Sequence, residues 1–205
     1  GAIMALKKSQ VQLSGKKILI IGSGGSARSI AFALAQEKPA EIGIMARNAM
    51  MAMQLARNLT LNSENPKVTL LLTDLKQGLQ KSLLEIIPQY GRKWSSVRYN
   101  DPALLADYDL IINTTPMGMK GSESRELSPL KAAELSKHQT VFDIVYNPAN
   151  TPLLTLAKKK RCQIVLGYKM LLYQGVLQFE LFTGKPAPVA AMEKALMAEI
   201  KKVSK

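Results

Sequence analysis

Gly22-Ser23-Gly24-Gly25-Ser26-Ala27 follows directly on the apolar run at residues 18–21. Main chain without side chains at the tip of a strand serves either a tight turn or a ligand that must touch the backbone. The spacing is G-x-G-x-x-A, and between a strand and a helix each small residue has a physical task. Gly22 permits the turn, Gly24 lets a pyrophosphate approach the main chain, and Ala27 lets the helix lie close on the strand. The helix start then offers unpaired N–H groups and partial positive charge to an anion.

Two further groups extend that chemistry. After the apolar run at 41–45, where an NAD site places a carboxylate for the ribose diol, the chain has Ala46-Arg47-Asn48. A guanidinium there pairs with a 2′-phosphate through charge-assisted bonds or lies flat on adenine, which favours NADP over NAD. A solvated loop arginine is the plain alternative. Residues 110–113 lead into Thr114-Thr115-Pro116-Met117-Gly118, hydroxyls and a turn at the carboxyl end of a strand, the ligand edge of open α/β sheets. These residues either cap that edge or form a floor beneath a nicotinamide and its ribose.

Strands and helices must position these groups, and the hydrophobic period supplies them. Strands are expected at 17–21, 41–45, 68–73, 110–113, 140–144 and 163–166, and helices at 2–8, 26–36, 49–59, 151–160, 171–182 and 189–203. Such alternation predicts a mainly parallel sheet with helices on both faces. Right-handed crossovers make it a doubly wound, Rossmann-like α/β fold. Between 75 and 107 the pattern weakens, to a helix at 77–87 and an irregular polar segment at 89–100.

The 205 residues, 47% hydrophobic and 21% charged, suit one ordinary domain, or one plus an appendage, with a real core. No apolar run approaches the ~20 residues that span a bilayer and no signal peptide opens the chain, so a membrane is not expected and a cytoplasmic location is. Cys162 is the sole cysteine, which excludes a disulfide framework and a cysteine-built metal site; no metal is expected. His138, the sole histidine, reads as a plain surface or partly buried residue. The formal charge of +13 admits nucleic acid, an acidic partner or a phosphate-bearing ligand. The densest basic run, Lys158 to Arg161, closes an expected helix, where cations favour the dipole. Without aromatic–basic interleaving, nucleic acid is not expected.

Five stretches in this order resemble the shikimate dehydrogenase family: the loop 22–28, the segment Asn113 to Met119, Asp143-Ile144-Val145-Tyr146-Asn147-Pro148 with Thr151 to Leu154, Gly167 to Gly175, and Gln178 to Gly184. The resemblance implies reversible reduction of 3-dehydroshikimate to shikimate with NADPH. It also implies a division of labour. A lysine and an aspartate that handle the carbonyl proton belong to an N-terminal substrate domain, and no copy of them is found here. The expectation is therefore a cofactor-binding portion without catalytic residues of its own: a linking helix at 1–15, an NADP-binding domain at 16–167, and closing helices at 168–205.

Carried over by resemblance, Gly22, Ser23, Gly24, Gly25, Ser26 and Ala27 line the pyrophosphate, and Arg47 with Asn48 meets the adenosine end. Thr114, Thr115, Met117, Ile144, Gly167 and Met170 lie along the nicotinamide half, and Tyr146 and Gln174 touch substrate. Plain readings stand beside these: Tyr146 as a turn tyrosine, Gln174 on an exposed helix face, Ile144 and Met170 as core. The family often carries a second cation where Met51 stands, with Arg57 as the nearby substitute. Lys169 replaces a family glycine and brings a cation towards the cleft. The closing helices, with Leu172, Val176, Phe179, Leu181 and Phe182, are expected to expose an apolar patch that favours self-association. A quinate/shikimate dehydrogenase using NAD and a non-catalytic nucleotide-binding module are the alternatives.

Overall fold

The computed structural model describes residues 1–62, 66–72, 94–98 and 102–203. Its centre is β1 (Lys17–Ile21), whose Ile-Leu-Ile-Ile run is buried throughout. Continuous apolar burial is what a parallel strand covered on both faces requires. On one flank lie β2 (Glu41–Ala46), β3 (Lys67–Leu72) and β4 (Trp94–Arg98). On the other lie β5 (Leu110–Asn113), β6 (Thr140–Asp143) and β7 (Gln163–Leu166). The described residues form a seven-stranded parallel sheet in the order β4-β3-β2-β1-β5-β6-β7. The order reverses between β1 and β5, and there the following loops diverge to open a crevice at the carboxyl ends.

The helices are α1 (Ala2–Lys8), α2 (Gly25–Ala35), α3 (Ala49–Asn62), α4 (Pro102–Leu105), α5 (Pro152–Lys159), α6 (Gly167–Thr183) and α7 (Val189–Val203). In α2 the buried residues Ala27, Ile30, Ala31 and Leu34 recur at helical spacing and join Ile20 and Ile44 in one apolar cluster. Ala5 and Leu6 of α1 belong to the same cluster, so α1 is built into this core. A second cluster covers the other face, where Leu153, Leu154 and Ala157 of α5 meet Leu19, Ile111 and Val141. Thr151 caps α5, its hydroxyl oxygen accepting from Leu154 N at 3.3 Å, with proline at the first helical position. No helix among the described residues is long and apolar enough to cross a membrane.

The doubly wound α/β expectation holds, with three differences and one expectation left outside the described residues. The segment at 89–100 is not wholly irregular: it contains β4, whose Trp-Ser-Ser-Val-Arg carries too few apolar residues to show a strand period. The helix expected at 77–87 lies outside the described residues. α6 starts at Gly167, not 171, because the chain passes straight from β7 into the helix with Leu166 as its cap. The apolar face of the closing helices is narrower than expected. Leu172 and Val176 are buried at 4% and 3% exposure, whereas Leu181 and Phe182 stand out at 79% and 82%.

Candidate functional site

The crevice at the β1–β5 reversal is a cleft of about 660 Å³, bounded by the loop after β1, residues 45–48 after β2, and residues 114–117 after β5. Gly22 N donates to Met45 O at 2.8 Å, tying the first loop to the second. Gly22 has φ +115°, and a Cβ on it would run into Thr114 Oγ1. Thr114 is itself fixed, its hydroxyl donating to Ile21 O at 2.7 Å. Gly24 caps α2 from an extended conformation, and no side chain bonds the free N–H groups of the first turn. A Cβ on Gly24 or Gly25 meets nothing within 4 Å, so the main chain there is open to an approaching group. Ala27 is wholly buried and Ser23 half-buried; Ser26 points to solvent. A bare helix start with an open approach suits a diphosphate.

At one end of the cleft stands Arg47, exposed and without an ion pair or hydrogen bond to another described residue. Among the described residues, none that lines the cleft is acidic. Asn48 is partly committed elsewhere: its Oδ1 accepts from Met51 N at 3.0 Å and caps α3, which leaves its N–H₂ group for a ligand. Arg57, the substitute second cation, lies further along α3 and does not line the cleft.

Thr114, Thr115 and Met117 line the other end. Beneath them is a buried polar network that reading the sequence missed. Asn113, wholly buried, donates from Nδ2 to Asp143 Oδ1 at 3.0 Å and accepts at Oδ1 from Thr115 N and Thr115 Oγ1 at 3.0 and 2.7 Å. Asp143 also accepts from Val145 N at 3.1 Å and the Thr151 hydroxyl at 2.6 Å. Burial pushes the Asp143 carboxyl up to about 6 against the opposing pull of these three donors. The available signal was an aspartate and an asparagine, each closing an apolar strand; their pairing needed the register.

The remaining expected residues are not on the cleft lining. Ile144 and Met170 are half-buried against the core, which favours their plain reading. Tyr146 is 46% exposed on the loop after β6, and Gln174 is exposed on α6 with its side chain against Gly1. The Lys169 cation does not turn to the cleft; its Nζ donates to Ser9 Oγ at 3.2 Å, beyond the end of α1. Gly167 seats α6: a Cβ on it would strike Val145 O and lie 2.6 Å from Ile144 O. Because the obstructing atoms are main chain, Gly167→Ala is expected to cost about 1–3 kcal/mol and to lower the melting temperature by several degrees. A melting curve superimposable on the parent's would show that α6 shifts freely.

Two family models match the sequence. The one described as Shikimate / quinate 5-dehydrogenase takes residues 4–87, and the one described as Shikimate 5′-dehydrogenase C-terminal domain takes residues 167–197. Both descriptions are of shikimate/quinate 5-dehydrogenases, which the chain matches over these two stretches. It is similar to the NADP(+) shikimate dehydrogenase of Methanosarcina barkeri, 37% identical over 197 residues, 96% of this chain and 60% of that protein. A solved shikimate dehydrogenase in complex with NADP⁺ superposes with a TM-score of 0.74 at 30% identity, over 97% of this chain and 60% of that one. A ligand-free 5-ketofructose reductase of a Gluconobacter species gives 0.71 at 26%, covering 96% and 61%. The chain spans about 60% of the length of the curated relatives it matches.

Proposed function

We propose that the chain is the NADP-binding portion of a shikimate dehydrogenase, the half that holds the cofactor while 3-dehydroshikimate is reduced to shikimate. The observation that carries this reading is Arg47 at the end of a cleft whose described lining holds no carboxylate. That end suits a 2′-phosphate and offers nothing to a free ribose diol, which sets the NAD-linked quinate alternative behind. The open glycine main chain and the α2 start hold the pyrophosphate, and Thr114, Thr115 and Met117 floor the nicotinamide half.

When bound, NADPH supplies the hydride. Tyr146, through its hydroxyl, and Gln174, through its amide, contact substrate from this side. Residues 16–167 form the cofactor unit, 168–205 close it with helices, and 1–15 lead into it. The burial of Ala5 and Leu6 beside Ile20 supports seating that first helix against the cofactor unit. The family's lysine and aspartate, which move the proton at the carbonyl oxygen, have no match in these 205 residues. Exposed Leu181 and Phe182 favour self-association, and the free Cys162 thiol fits a cytoplasmic setting.

Calorimetric titration tests the reading. NADP⁺ is expected to bind roughly tenfold or more tighter than NAD⁺, the difference one charge-assisted contact makes. Mixed with shikimate and NADP⁺, the chain is expected to form NADPH at no useful rate, since general acid–base transfer is worth about 10²–10⁴-fold. Equal affinity for both dinucleotides would remove the NADP assignment, and ordinary turnover would show that a proton donor lies within this chain.

A further inference from the structure

Asp143 closes β6, wholly buried, and the proposed chemistry leaves it without a task. It faces Asn113 directly across the β5–β6 ladder. An ionised carboxylate only accepts hydrogen bonds, so it admits only the N–H₂ end of the Asn113 amide. That turns Asn113 Oδ1 towards Thr115, where it takes both the main-chain N–H and the hydroxyl hydrogen. Thr115 Oγ1 keeps its lone pairs, one leaning towards Met117 N at 3.4 Å. The other belongs to an atom on the cleft wall. We infer that Asp143 is a positioning residue for the dinucleotide: through Asn113 it holds Thr115 as an acceptor for an O–H or N–H donor on the nicotinamide half. This rests on the NADP reading of the cleft.

The relay depends on the charge of the carboxylate. The groups that face it are Asn113 from β5, Val145 from its own loop and Thr151 from the cap of α5, and no charged side chain contributes to its shift. With its carboxyl raised to about 6, Asp143 is ionised at neutral pH and gains a proton as the solution is acidified through that value. The added hydrogen enters a ring made wholly of donors, and one of them must yield. A proton on Oδ1 meets the Asn113 N–H₂ group and the fixed Val145 N–H, and only the amide can turn. Affinity at the nicotinamide end is therefore present above about pH 6 and falls below it.

The test compares NADP⁺ with adenosine 2′,5′-bisphosphate, which spans only the adenosine half, by calorimetry on the chain, on Asp143→Asn and on Thr151→Val. The ratio of the two affinities cancels the titration of the 2′-phosphate but not that of the probe's 5′-phosphate, which also falls near pH 6, so the pH effect is read as the difference between the parent chain and Asp143→Asn. Asp143→Asn is expected to weaken NADP⁺ about tenfold and the bisphosphate by less than about twofold, the loss of a single hydrogen bond. Measured against Asp143→Asn, which carries only the probe's own titration, the parent's ratio drops as pH falls through about 6. Thr151→Val removes a donor that favours the charged form, so its midpoint moves to higher pH. A parallel loss of both probes in Asp143→Asn, or of neither, overturns the inference while leaving the NADP reading in place. So does an unmoved midpoint in Thr151→Val, which decides the matter if Asp143→Asn fails to fold. A parent chain that binds neither probe overturns both readings together.

Discussion

Gly22→Ala is expected to abolish measurable NADP⁺ binding and to destabilise the fold. Two costs coincide at this position. The residue has φ +115°, where an L side chain is strained, and the added Cβ runs into Thr114 Oγ1. Strain of this kind costs about 1–3 kcal/mol and overpacking roughly as much again. Relief requires the Thr114 hydroxyl to leave Ile21 O, which loosens the wall between β1 and β5 where the cleft opens. Adding Thr114→Ala removes the obstructing oxygen and is expected to restore part of the stability, but not the part due to backbone strain. Gly24→Ala provides the contrast. Its φ of −78° suits any residue and its Cβ meets nothing, so its melting temperature is expected to stay at the parent value while NADP⁺ affinity falls. Normal binding by both variants would mean that no pyrophosphate lies against this loop.

The second large effect belongs to Arg47. Charge-assisted hydrogen bonds contribute about 1.5–3 kcal/mol each, so Arg47→Ala is expected to weaken NADP⁺ by roughly 10- to 100-fold and NAD⁺ by less than about threefold. Arg47→Glu, which sets like charge against the phosphate, is expected to abolish the preference for NADP⁺. The parent's NADP⁺ affinity should also fall with added salt, because the guanidinium is exposed and its field is screened. Equal losses for both dinucleotides in Arg47→Ala would assign the side chain to the adenine face and not to the phosphate. Unchanged affinities would leave the adenosine end without its anchor.

Residues whose task depends on local chemistry were readable in the sequence. β1 and β5 appear at their expected limits because a buried parallel strand is an unbroken apolar run. The glycine loop and Arg47 declare themselves by residue type and by position after a strand. What stayed hidden was set by long-range pairing. Asn113 and Asp143 are 30 residues apart and meet only through the β5–β6 register. Lys169 was expected near the cleft because it stands where the family carries a glycine; its reach to Ser9 depends on how α1 packs on the core. Asn48 was read as a ligand residue from its place beside Arg47, while half of its amide serves the start of α3.

On the proposed reading, main-chain recognition at the turn after β1 and side-chain recognition beyond β2 fall on separate loops, with Gly22 N bonded to Met45 O at the end of β2. A redesigner can therefore rewrite positions 46–48 to trade one nucleotide currency for another without disturbing how either is gripped at its waist.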